Sequence, residues 1–196
     1  TVSSDFSELA ARIPERGTVI IDGYVGVRFD EFVSSLNEAL SAVGKTALWW
    51  SVDSALKSPA EIDKMIEPFL GGDDPLFGYR ASLELKDFFD GDKLASIKAD
   101  ASAPLNIIYG IGASLAGWEG TLIYLDIPKN EIQFRSRAGS VRNLGAAAPD
   151  APKKMYKRFY FIDWVVLNRH KKALMPEIDI FVDAQRETEI TWAEGD

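Results

Sequence analysis

Residues 19–32, Val-Ile-Ile-Asp-Gly-Tyr-Val-Gly-Val-Arg-Phe-Asp-Glu-Phe, hold the first set of groups that could do chemistry. An apolar strand there runs through Gly23 and Gly26 into a helix. Such a junction turns bare backbone N–H groups toward one point, a geometry suited to phosphate. Its working form reads G-x-x-x-x-G-K-[ST]. Counted from Gly23, the later positions hold Arg28, Phe29 and Asp30. Arg28 keeps a cation, with a planar fork better suited to static phosphate binding than to metal-coupled transfer. Phe29 can hold neither phosphate nor metal. Asp30 could touch a metal, but its charge at the helix start opposes phosphate.

The second set is basic. Between Arg135 and Lys172 stand ten Lys/Arg and two acids, a net of +8 in a chain of net charge −8. A basic segment in an acidic body points to a local anion rather than to nucleic acid, because the body repels a polyanion. Arg135 and Arg137 are two residues apart and diverge on a helix unless it ends there. With Arg142 and Arg158 they are expected to converge over the strand ends; pairing with the surplus acids is the alternative. Asp53, after the second strand, fits a plain helix or turn cap. His170, the single histidine, lies between Arg169 and Lys171 and is read as solvent-facing, with no Ser-His-Asp set built on it. No metal site is expected.

A chain of 196 residues fits one domain with a real core. The absence of cysteine excludes disulfides, thiolate metal sites and cysteine nucleophiles. There is no long apolar run and no leader, so the expectation is a cytoplasmic protein that meets no membrane. A chain that begins at Thr1 and ends at Asp196 also fits a domain excised from a longer protein.

The elements that must position these groups follow from periodicity. Apolar runs at 18–22, 47–52, 105–109, 121–126 and 178–182 predict five buried parallel strands. Helices are predicted from Phe6 to Ile13, from Asp30 to Val43, and over 59–70, 92–101, 129–138 and 155–174. Residues 76–91 are ambiguous, 139–154 read as a mobile loop, and 184–196 as a polar tail apart from Ile190 and Trp192. Alternating strands and helices predict a three-layer α/β/α domain with a five-stranded parallel sheet. Ligands in such sheets bind beyond the strand C-termini, here Asp22-Gly23, Asp53, Gly110–Ala113 and Asp126-Ile127-Pro128.

The element order over residues 18–183 resembles the uridine-kinase and nucleoside-monophosphate-kinase branch of the P-loop proteins. Asn106-Ile107-Ile108-Tyr109-Gly110 and Leu122-Ile123-Tyr124-Leu125-Asp126-Ile127-Pro128 carry the resemblance, with Arg135 and Arg137 like that family's lid arginines and Asp53 where that family carries its acidic catalytic residue, which makes Asp53 the candidate catalytic residue that the resemblance implies. Gly110–Ala113, residues 128–135 and residues 156–164 also look like a kinase-like domain ahead of a cupin in some class I mannose-6-phosphate isomerase-like proteins. One histidine cannot supply that isomerase's zinc ligands, so the resemblance implies an accessory domain with a possible C-terminal cupin partner.

Together these features predict a catalytically degenerate kinase-like domain that binds a phosphorylated small molecule, a nucleotide or sugar phosphate. The candidate phosphate-binding residues are Gly23, Gly26, Arg28, Arg135, Arg137, Arg142 and Arg158. The alternatives are an active nucleoside or sugar kinase, which alone would need ATP and Mg²⁺, and a purely structural interaction domain. Phosphoryl transfer needs the loop lysine and the following hydroxyl, and both are replaced.

Overall fold

A computed structural model describes every residue except Thr1, Pro75, Glu187 and Asp196. All five expected strands form: β2 (Gly17–Gly23), β3 (Ala47–Ser51), β4 (Leu105–Tyr109), β5 (Thr121–Asp126) and β6 (Ile180–Asp183). They are parallel throughout, with Val19 opposite Ile107 on one side of β2 and opposite Thr121 on the other. Val19, Ile20, Ile21 and Asp22 are all buried. Successive strand residues point to opposite faces, so both faces of the sheet are covered.

The expected five-stranded sheet is corrected to seven. Short β1 (Val2–Ser4) and β7 (Thr191–Glu194) pair antiparallel with each other and extend the β6 edge, giving the order β1-β7-β6-β5-β2-β4-β3. The polar tail is thus a strand anchored by buried Ile190 and Trp192.

The helices are α1 (Phe6–Arg12), α2 (Phe29–Ala42), α3 (Pro59–Ile66), α4 (Gly91–Ser96), α5 (Lys129–Arg137), α6 (Pro152–Arg158) and α7 (Trp164–Leu174). Each has a local cause. Phe32, Leu36 and Leu40 repeat at helical spacing and bury one face of α2, and Phe6 of α1 packs on Phe32 at 5.2 Å between ring centroids. Ser58 and Glu61 close a capping box at the start of α3. The single helix expected over 155–174 is instead α6, a π-helical turn (Phe159–Asp163) and α7. The helix expected over 92–101 stops at Ser96, and residues 85–88 form a single tight turn. The expected mobile loop at 139–154 is pinned by buried Val141, Asn143 and Leu144, and its last residues already belong to α6. No helix among the described residues is long and apolar enough to cross a membrane.

One carboxylate ties the strand ends together. Asp22 is fully buried at the C-terminal end of β2. Its Oδ1 accepts from the N–H groups of Gly23 at 2.7 Å and Gly112 at 2.8 Å. Its Oδ2 accepts from Ser114 N at 3.1 Å and Ser114 Oγ at 2.6 Å, and meets His170 Nε2 at 2.9 Å. A buried carboxylate is tolerated only when its lone pairs are satisfied in this way. Gly112 sits at φ +84°, a left-handed conformation that points its N–H at the carboxylate at little steric cost.

Removing that carboxylate strands buried donors from three segments. Asp22→Ala is expected to cost about 3 kcal/mol or more in urea unfolding, because each buried donor left without an acceptor costs about 1–3 kcal/mol. A loss below about 1 kcal/mol would show that the network contributes little.

Candidate functional site

The glycine loop after β2 is closed on itself. Gly23 N–H is held by Asp22, Tyr24 N–H donates to Leu125 O at 2.9 Å, and Val27 N–H donates to Tyr24 O at 3.3 Å. Tyr24 is buried, and its hydroxyl donates to Asn168 Oδ1 at 2.8 Å. A Cβ at Gly23 would stand 2.6 Å from Leu125 O and 3.1 Å from Phe29 Cζ. Gly26, at φ +91°, is pressed against Ile127 and Ile132. Both glycines therefore serve close packing. Three of the N–H groups that an anion cradle would use are already spent.

The four arginines of the basic segment do not converge. Arg135 is buried; its Nε meets Glu131 Oε1 at 2.9 Å, and its Nη atoms donate to the carbonyls of Gly26 (2.9 Å), Ala184 (3.3 Å) and Gln185 (2.7 Å). It fastens the loop after β2 to the segment after β6. Arg158 is buried too, bonded to Leu144 O and to Asp63 Oδ1 at 3.2 Å, with Asp163 Oδ1 3.6 Å from its Nε. Burial pushes the Asp163 carboxyl up from its ordinary value, against the opposing pull of Arg158 and Asn143. Arg137 is exposed on the rim of a separate groove.

Arg142 is different. It lines a cleft of about 410 Å³ beyond the C-terminal ends of β2, β3 and β4, together with Gly26, Arg28, Asp30, Asp53, Tyr109, Gly110, Ser140 and Asn143. The chain leaves β2 toward β4 and β3 on one side and returns to β5 on the other, so the cleft lies at the reversal where open α/β sheets bind ligands. Asp53 Oδ2 stands 3.9 Å from Arg142 Nη2, both side chains half exposed. Gly110, at φ +121°, lets the floor approach: a Cβ there would be 2.8 Å from Val52 Cγ1 and 3.4 Å from Asp53 Oδ1. Burial raises the Asp53 carboxyl above its ordinary value; Arg142 opposes the rise and Asp30 adds to it. A guanidinium beside carboxylates can grip phosphate while the carboxylates accept sugar hydroxyls. Among the described residues no three His, Cys, Asp or Glu side chains group to hold a metal ion.

Of the residues singled out by sequence, the structure gathers Gly26, Arg28, Asp53 and Arg142 at this cleft and places Gly23, Arg135, Arg137 and Arg158 elsewhere. Sequence reasoning missed Tyr109, Ser140 and Asn143. Asn143 and Ser140 are polar residues in a glycine- and alanine-rich connection, a visible signal. His170 was misplaced: it is nearly buried against Asp22, and Ser114 Oγ lies 3.3 Å from its Nε2. Ser114, His170 and Asp22 do form a cluster. Its hydroxyl and imidazole both meet the same carboxylate oxygen, so the imidazole does not stand between nucleophile and acid as a hydrolytic triad requires.

A family model described as "Domain of unknown function (DUF8485)" matches residues 5–196, and the chain belongs to that family. No curated protein matches. A solved structure described as a "putative fructose transport system kinase from Silicibacter sp. TM1040" is similar over 68% of this chain and 80% of that chain, at 18% identity and a TM-score of 0.44.

The raised Asp53 carboxyl makes a signed prediction. The unfolded chain ionises Asp53 near its ordinary value of 3.8, and the folded chain ionises it at a higher pH. The folded state therefore carries a penalty that is absent below pH 3.8 and fully present above the folded value. Asp53→Asn is expected to raise the urea midpoint at pH 7 and to leave it unchanged near pH 3.5, as when a binding group is removed from a site kept at the expense of stability. Equal midpoints at both pH values would contradict the assignment.

Proposed function

We propose that this member of the family binds a phosphorylated, hydroxyl-bearing small molecule, a sugar phosphate or nucleotide, in the cleft beyond β2, β3 and β4, and that it does so without phosphoryl transfer. The observation that carries the reading is the pairing of Arg142 with Asp53 at the sheet's reversal point. Arg142 supplies a fork for the phosphate oxygens, and Asp53 accepts a hydroxyl, with Asp30 and Ser140 around the rim.

The loss of transfer rests on two features. Lysine and hydroxyl are replaced by Arg28 or Phe29 and by Asp30, so charge neutralisation and metal binding lack their usual groups. Three of the loop N–H groups that would wrap the phosphates, those of Gly23, Tyr24 and Val27, are bonded within the protein. The kinase-like element order then serves as a scaffold for recognition. The cleft's mixed lining, with Arg28 and Arg142 against Asp30, Glu31 and Asp53, favours a ligand with both phosphate and hydroxyl groups over a bare polyanion.

Calorimetric titration with sugar phosphates and nucleoside monophosphates, beside the unphosphorylated sugars, tests this. A phosphorylated ligand is expected to bind saturably, with Arg142→Ala weakening it by about tenfold or more, the value of one charge-assisted contact. No binding by any phosphorylated compound at millimolar concentration, or equal binding by the variant, would overturn it.

A further inference from the structure

A second recess, separate from the cleft, lies against the π-helical turn. It has a volume of about 650 Å³ and is lined by α5, α6, that turn and Leu76. Its wall is aromatic and preassembled. Tyr156 stacks on Tyr160 with centroids 6.5 Å apart, and Tyr160 meets Phe161 edge-on at 5.0 Å. The opposite lip is seated on the same turn: Ala81 N–H donates to Phe161 O at 2.8 Å, and a Cβ at Gly78 would stand 2.7 Å from Phe161 Cδ2.

Four observations on this recess converge. Leu76 is 78% exposed, Tyr160 53% and Tyr156 44%, so apolar surface is left facing solvent. Every charged lining residue is a cation, namely Arg137, Lys153 and Lys157, in a protein of net charge −8. Among the described residues, neither Arg137 nor Lys153 has an ion-pair partner. The helix carries a π turn here, a departure that costs helical hydrogen-bond geometry and is concentrated at functional sites.

We propose that this recess docks an acidic segment of a partner protein, which inserts one aromatic or aliphatic side chain against Tyr156, Tyr160 and Phe161 while its carboxylates meet Arg137 and Lys153. Charge complementarity selects this occupant. A second copy docked by two-fold symmetry would set the cations of one recess against those of the other. A nucleic acid would meet a body that carries the opposite of the charge it needs. The anchor fills the aromatic floor, and the flanking carboxylates replace solvent around cations that lack internal partners.

The test uses fluorescence anisotropy of a labelled peptide of glutamates around a central phenylalanine, with the full chain. Saturable binding that weakens as salt rises is expected. So is a loss of about tenfold or more in the double variant Arg137→Glu/Lys153→Glu and in Tyr160→Ala, with no change in Arg142→Ala, which separates the recess from the cleft. Unchanged urea midpoints show that the variants fold, and Lys153→Ala serves if the double variant does not. Equal binding by the lysine counterpart of the peptide, displacement by single-stranded RNA at equal charge concentration, dimerisation in sedimentation that blocks the peptide, or no saturation would each overturn the proposal.

Discussion

The fold depends on satisfying one buried carboxylate. Asp22 lies next to the end of the central strand inside the protein, where a carboxylate without partners is prohibitively costly. Its two oxygens gather the last residue of β2, the turn after β4, and α7. The last two lie 90 and 148 residues away, so one residue sets the relative placement of the strand ends around the cleft. His170 and Ser114 act through it as anchors, and Tyr24 with Asn168 and Lys171 with Asp126 add further ties between α7 and the strand ends.

That constraint also explains why the loop after β2 is closed. Asp22 takes the N–H of Gly23, Leu125 takes that of Tyr24, and Arg135 takes the carbonyl of Gly26. A loop tied at both donors and acceptors is rigid but has fewer groups left for an anion. The groups left open lie to the side, at the mouth shared with β3 and β4, where Arg142 and Asp53 remain half exposed. The π turn links this mouth to α7: Asp163 accepts from Asn143 Nδ2 at 2.7 Å and from Leu144 N at 3.3 Å, and both residues line the cleft.

The parallel strands were legible because unbroken apolar runs have one stable use, a sheet covered on both faces. The two antiparallel strands β1 and β7 were not, since they are only three and four residues long and join the sheet through β7 pairing with β6 and β1 pairing with β7 across the whole length of the chain. The interruption of the last helix was hidden because one inserted residue barely disturbs a helical pattern. The positions of the arginines were partly readable: Glu131 and Arg135 are four apart on a helix, a spacing that forms an ion pair. His170 lies three and four residues after Leu167 and Val166, on their buried face, a signal outweighed by its charged neighbours. Asp22 could not be recognised as a hub, because its partners lie 90 and 148 residues away.

The central claim is that the ligand sits at the strand-end cleft and not in the closed loop. Backbone amide chemical shifts, followed by NMR as a sugar phosphate or nucleotide is titrated in, test it most directly. The account predicts shifts concentrated at residues 51–53, 109–111 and 139–145. Shifts centred on residues 22–27, or none at a saturating concentration, would contradict it.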